Sequence, residues 1–244
     1  MRKLLSPFSF HHSPRWQAQQ EGTPLGAGFT LIEMLVVVAI IAIISSVVLF
    51  NYSDFSTNVS VRNLAQEVAL SVRKAQVYAT SVRTLDGTQN LSSKTFPGYG
   101  ISFSNYAQTT DSNAKATPSN RQFIIFADNF SSSQDPSYGV YNQSDSDECG
   151  TVTTDNECLE SVAITTADKV SDICVQYNNT STETCLPPGS RIDISFDRPN
   201  PDALLCSFSS GKRCDISYAK IVLQSAKGLE RTVEIWNTGQ ISVQ

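Results

Sequence analysis

Histidine is almost missing from this 244-residue sequence: the two present, His11 and His12, precede the first long apolar run, and none follows it. Histidine-dependent acid–base catalysis and His-ligated zinc sites are thereby excluded downstream. There is also no Gly-x-Ser-x-Gly elbow and no phosphate-cradling P-loop, so the residues recommend no enzymatic activity. Tight Cys-x-x-Cys pairs are lacking, which argues against a zinc ribbon; no metal and no other cofactor is expected. Charge is sparse, with 18 Lys and Arg against 23 Asp and Glu and a formal net charge of −5. No basic patch forms: Lys212-Arg213 and Lys220 come nearest, Asp215 interrupts them, and nothing basic follows Arg231. Phosphate contacts dominate nucleic-acid binding, so nucleic acid is not an expected partner. Finally, no proline occurs between Pro24 and Pro97, which leaves a long stretch free to be helical.

That stretch holds the most informative segment. Gly26-Ala27-Gly28-Phe29-Thr30-Leu31-Ile32-Glu33-Met34-Leu35 leads into an apolar run that continues to Phe50. The 22 residues from Phe29 to Phe50 form, as a helix, a rod of roughly 33 Å, the thickness of a bilayer's hydrocarbon core. Its polar residues are Thr30, Glu33, Ser45 and Ser46, so one carboxylate stands alone in an apolar segment. A charge at mid-membrane costs on the order of 2.5 to 3.5 kcal/mol, less near the interface. Snorkelling to the headgroups is the plain explanation of Glu33. An ordinary secretory signal has a shorter apolar region and a small-residue cleavage site. A simple signal anchor gives the same orientation, because Arg2, Lys3 and Arg15 against Glu21 keep residues 1–28 cytoplasmic.

Gly28 followed by Phe29 and Thr-Leu-Ile-Glu resembles the processing site of type IV prepilins and type II secretion pseudopilins. The resemblance implies that prepilin peptidase cuts between Gly28 and Phe29 and N-methylates Phe29. It makes Glu33, the fifth residue after the cut, the assembly glutamate. Cleavage would create an α-ammonium on Phe29, which the Glu33 of a neighbouring subunit can meet; two opposite charges buried together are tolerable and costly apart. The implied partners are prepilin peptidase, other pilin or pseudopilin subunits, an inner-membrane assembly platform and membrane lipid. The implied location is the inner membrane, single-pass, with the head extracytoplasmic and later in a pilus or pseudopilus. Loss of residues 1–28 would leave 15 basic against 22 acidic residues, a net charge of −7, and no histidine.

Farther along, Asn51 to Asn58 is a polar run poor in helix propensity. Val61, Leu64, Ala65, Val68, Val72, Ala75, Ala79 and Val82 then recur at steps of three and four, the apolar face of a helix docked on a core. Family pilins usually carry a proline where this helix bends; here the Asn, Ser and Thr residues at 51–60 are the expected soft point. From Leu85 the signals are short strands: Tyr99 to Phe103, Gln122 to Phe126, Ser161 to Thr165, Ile173 to Tyr177, Arg191 to Phe196, Ala219 to Gln224, Arg231 to Trp236 and Ile241 to Val243. Lys227-Gly228 and Thr238-Gly239 read as hairpin turns within an antiparallel C-terminal meander. The expected fold is α+β: a long N-terminal transmembrane and amphipathic helix, then an antiparallel β-rich, pilin-like head. The expected division is 1–28 leader, 29–50 transmembrane helix, 51–84 amphipathic helix and 85–244 head. The tail, Gly228-x-x-Arg-Thr-Val-Glu-Ile into Thr-Gly-Gln-Ile-Ser-Val, looks most like the H-type minor pseudopilins. A ligand-binding minor pilin, for DNA uptake or adhesion, is the alternative.

All six cysteines, Cys149, Cys158, Cys174, Cys185, Cys206 and Cys214, fall on the exported side, where disulfides are favoured. Six cysteines allow 15 pairings; sequence order suggests Cys149 with Cys158, Cys174 with Cys185, and Cys206 with Cys214. Asp145, Asp147, Glu148, Asp155, Glu157 and Glu160 crowd the first of these loops. The loop opens like an EF-hand but has a cysteine at the fifth position and Asn156 at the twelfth, so a solvated acidic loop is expected rather than a calcium site. Asp128 to Asp135 is similarly degenerate. Asp197-Arg198-Pro199-Asn200-Pro201-Asp202 reads as a rigid turn with local ion pairing, or as a recognition tip.

Overall fold

The computed structural model describes residues 28–81, 97–107, 118–129, 136–142, 149–150, 152 and 156–244. Among the described residues, one α-helix, α1 (Leu31–Thr80), precedes eleven strands: β1 (Gly98–Ser104), β2 (Gln122–Asp128), β3 (Cys158–Ala163), β4 (Lys169–Tyr177), β5 (Thr184–Cys185), β6 (Arg191–Phe196), β7 (Ala203–Phe208), β8 (Lys212–Arg213), β9 (Ile216–Gln224), β10 (Glu230–Trp236) and β11 (Ile241–Val243). The fold is therefore α+β, a long helix followed by antiparallel sheets. The chain divides into two compact units, Met1–Phe50 and Asn51–Gln244.

Helix α1 is unbroken across 51–60, where a soft point was expected. Extending a helix costs only tenths of a kcal/mol per unfavourable residue once a nucleus exists, and the polar run lies between an apolar helical segment and the docked stripe that starts at Val61. Val82 of the expected stripe lies outside the described residues; its other seven members, from Val61 to Ala79, are all buried. Arg62, Glu67 and Arg73 point to solvent.

All strand pairings are antiparallel, in two sheets ordered β3-β2-β1-β6-β7-β8 and β11-β10-β9-β4-β5. The chain alternates between them: β1 to β3 lie in the first, β4 and β5 in the second, β6 to β8 in the first again, and the β9–β11 meander completes the second. Period-two inward residues of both sheets, among them Tyr99, Ile101, Phe103, Ile194, Ile173, Ile221 and Val233, join the buried stripe of α1 in one core. Both hairpin turns of the meander form as expected. Gly228 donates its amide to Ser225 O (3.0 Å) and Gly239 to Trp236 O (2.8 Å), each glycine at positive φ.

The structure joins Cys149 to Cys158, Cys174 to Cys185 and Cys206 to Cys214, and no described cysteine is free. Two of these bonds account for strands that the sequence did not announce. Cys174 and Cys185 sit directly opposite in the β4–β5 ladder, and the Cys206–Cys214 bond closes over the β7–β8 hairpin. Two-residue strands such as β5 and β8 have too few ladder bonds to persist by themselves; the covalent link holds them in register.

Polar ties fix α1 to the sheets at several heights. Ser60 Oγ donates to buried Asp168, Lys74 pairs with Glu160 on β3, and Asp54 pairs with Lys227 in the β9–β10 turn. Gln76 is the buried polar exception on the apolar stripe: its Nε2 donates to Pro201 O (3.0 Å) and Gly239 O (3.2 Å).

Candidate functional site

The amino-terminal segment is built from a helix start. Thr30 is the cap of α1: its Oγ1 accepts from the Glu33 amide (3.3 Å), and its carbonyl accepts from the Met34 amide (3.2 Å). Thr-x-x-Glu is the sequence form of a capping box, and an acidic side chain in the first turn also suits the helix dipole. Glu33 therefore has a local role in starting the helix. Its carboxylate is exposed and forms no ion pair among the described residues. Gly28 precedes the helix in open space, with nothing near where a Cβ would stand. Phe29 is 73% exposed.

Every described side chain from 28 to 49 is exposed in the single chain. A bare apolar helix of this length demands lipid or other helices around it. Ser46 turns its hydroxyl onto Ile43 O (2.7 Å), hiding one of the segment's few polar groups inside the helix. By length and composition α1 can cross a membrane, which fits anchoring.

The head places the remaining candidates differently from one another. Asp145, Asp147, Glu148 and Asp155 lie outside the described residues, as does most of the run from Asp128 to Asp135. Of the two acids from that group that are described, Glu160 is exposed on β3 and only Glu157 departs from a solvated setting. Glu160 pairs with Lys74, and Glu157 is fully buried, accepting from the amides of Asn129 (3.0 Å) and Asn142 (2.8 Å). Composition alone counts Glu157 as loop charge because burial is set by distant packing.

Glu157 belongs to a larger arrangement. Segment 136–142 is a strap whose amides end on three buried carboxylates: Gly139 donates to Asp128 (2.8 Å), Tyr141 to Asp193 (3.0 Å) and Asn142 to Glu157. Lys212 Nζ donates to the strap's carbonyls at Pro136 (2.7 Å) and Tyr138 (2.9 Å). Tyr141 closes over Ile124 and Phe126, the outward residues of β2. Gly100 opposite Phe126 leaves room for that ring, since a Cβ there would meet it at 2.4 Å.

Burial pushes the Glu157 carboxyl up from 4.5 to about 9, with nearby Asp128 adding to the rise, against the pull of its hydrogen-bond donors. Between those two values the folded chain holds one more proton than the unfolded chain. Its contribution to stability is complete below the lower value and fades as pH rises to the upper one. The unfolding free energy should fall by up to about 1.4 kcal/mol per pH unit across that window. Glu157→Gln should flatten the dependence. Urea titrations of the detergent-solubilised chain across the window measure it, and a wild-type stability that stays level or rises with pH would contradict it.

The basic residues are taken locally. Lys212 serves the strap, Lys220 pairs with Glu183 (2.6 Å), and Arg213 pairs with Asp215 (2.9 Å) while lying 3.7 Å over the Tyr177 ring. Cys174, Glu183 and Cys185 come together, but both sulfurs are spent in a disulfide and offer no thiolate. The Asp197–Asp202 turn is braced by Tyr138, which donates to Asp197 Oδ2 (3.1 Å), and by Gln76 at Pro201 O.

Among known families, the one described as the prokaryotic N-terminal methylation motif matches residues 26–49. That segment carries Gly28, Phe29, Glu33 and nearly all of the exposed apolar helix. No curated protein and no solved structure matches the chain. The motif supports a prepilin-type family, with processing by prepilin peptidase and assembly with other pilins as its implication.

Proposed function

We propose that this chain is a structural subunit, and a minor one, of a type IV pilus or a type II secretion pseudopilus. On this reading prepilin peptidase cuts after Gly28 and methylates Phe29. The helix from Phe29 to Phe50 holds the chain in the inner membrane with its head outside, and Glu33 directs its entry into the filament. The observation that carries the proposal is the methylation motif at residues 26–49 standing on a capped helix whose apolar surface is bare in the single chain. Residues 1–28 are then a leader and 85–244 the exposed domain. The head's size and the H-type character of its tail, which forms the β10–β11 hairpin, favour the minor subunit.

The role is structural rather than enzymatic: the chain is the substrate of the peptidase and the material of the fibre.

Gly28 is the position to test. A bulky residue there, as in Gly28→Gln, should leave uncut precursor in the membrane, whereas the wild type should yield a mature protein beginning at N-methyl-Phe29. Amino-terminal mass spectrometry reads both. Efficient cleavage of Gly28→Gln, or a wild-type terminus elsewhere, would overturn the assignment.

A further inference from the structure

Among the described strands, β3 and β8 end the first sheet and β11 and β5 the second. A strand at a sheet edge presents unpaired backbone groups to any extended chain that reaches it. Strands β5 and β8 are two residues long and pinned by disulfides, and β11 has three residues. Strand β3 has six and no proline, and its Ser161 and Ala163 are exposed. The Ile164 amide donates to Arg121 O (2.8 Å), which fixes the alternation of the ladder: Val162 exchanges hydrogen bonds with Phe123, and Glu160 with Ile125. The N–H and C=O of Ser161 and of Ala163 therefore point away from β2 and find no partner among the described residues.

Helix α1 runs beside this edge and makes it one wall of a groove. Lys74 pairs with Glu160 at one end, and a hollow of about 310 Å³ between Asn63, Glu67 and residues 163–166 marks the other. A second hollow of about 360 Å³ shares Asn63 and Glu67 and reaches Leu70, which is 70% exposed. From Asn63 to Lys74 the helix rises roughly 17 Å, the length of about five extended residues.

The walls specify the occupant. Glu160 and Val162 share the core-facing side of the sheet with Ile125 and Phe123, their partners on β2. A strand added beyond β3 would alternate in the same way and set every second side chain against α1. Leu70 offers those side chains an apolar contact. Glu67 offers a charge: it lines both hollows and has no ion pair among the described residues, whereas Lys74 is taken by Glu160. We propose that the groove between α1 and β3 takes up an extended segment of a partner protein as a further strand, with apolar and basic side chains on the α1 side and polar ones on the other. The backbone of Ser161 and Ala163 gives the affinity, and Leu70 with Glu67 selects the side chains. This goes beyond subunit packing through the Phe29–Phe50 helix and does not depend on it.

The test titrates the full chain in detergent with the peptide acetyl-Thr-Lys-Thr-Val-Thr-Lys-Thr-amide, whose Lys and Val side chains share one face. The peptide should bind saturably and slow deuterium exchange at the Ser161 and Ala163 amides severalfold. A copy N-methylated at its three central residues keeps the side chains but loses backbone donors, and should not bind. A copy with Glu in place of Lys should bind at least tenfold more weakly, and Glu67→Lys, a change at an exposed side chain, should reverse that preference. Ser161→Pro removes an outward N–H and no ladder bond to β2, so it should weaken binding about tenfold with the melting temperature retained. The proposal is overturned if the parent peptide does not saturate below about 10 mM. It is equally overturned if the N-methylated or the Glu copy binds as tightly as the parent, or if either variant binds the parent as the wild type does. Dimers of the chain that Ser161→Pro dissolves would give the edge to a second copy and overturn it as well.

Discussion

Replacing Glu33 with alanine should leave a protein that is inserted in the membrane and cut after Gly28, yet is nearly missing from sheared filaments. Insertion draws on the apolar run to Phe50, and cleavage on Gly28 and Phe29; neither uses the carboxylate. In the single chain Glu33 costs little to lose, since its amide, not its side chain, makes the bond to Thr30 Oγ1. The remaining dipole contribution is a few tenths of a kcal/mol to about 1. In a filament the balance changes: the Phe29 ammonium of a neighbour would be buried without a counter-charge, and breaking one side of a buried pair costs about 3 to 5 kcal/mol. That is more than a hundredfold in incorporation. Glu33→Gln keeps the shape and removes the charge, so it should fail in the same way. Membrane fractions and filament preparations compared by quantitative mass spectrometry decide the matter. Wild-type incorporation of either variant would leave Glu33 as a helix-start residue only.

The second large effect is expected at Gly239. Gly228 and Gly239 occupy the two hairpin turns of the meander at nearly the same φ, 81° and 79°. They differ in surroundings. A Cβ at Gly228 meets open space, whereas one at Gly239 would stand 2.2 Å from Pro201 O and 2.6 Å from Gln76 Nε2. Gly228→Ala should therefore cost only the left-handed backbone strain, about 1 kcal/mol. Gly239→Ala adds displacement of Pro201 and the loss of both Gln76 bonds, for about 3 kcal/mol or more. Urea midpoints of the two variants measured side by side isolate the steric part. Equal losses at both sites would show that Gln76 and Pro201 are not packed against the turn.

Much of the fold was legible because its signals are local. The stripe from Val61 to Ala79 declares a docked helix, β6 has the bounds its pattern suggests, and both glycine turns are where dipeptides place them. What escaped is non-local. Ala203 to Phe208 forms a full strand on β6, but a proline-rich turn before it and a cysteine-serine run within it give a loop-like pattern. Strands β5 and β8 exist only through partners and disulfides. The two sheets exchange strands along the chain in an order that no window of sequence contains. Within the site, Thr30-x-x-Glu33 was a readable cap, and Gln76 was readable as a polar residue beside Ala75 and Ala79.

The ties of the lower helix also define a path for mechanical load. Asp54, Ser60, Lys74 and Gln76 attach to the β9–β10 turn, the segment before β4, strand β3, and the pair formed by Pro201 and the β10–β11 turn. Those anchor points belong to both sheets and are staggered along more than twenty residues of helix, a rise of roughly 33 Å. Tension applied along α1 is thus borne in shear by several attachments at different heights, and the head resists being peeled from its stem from any one end.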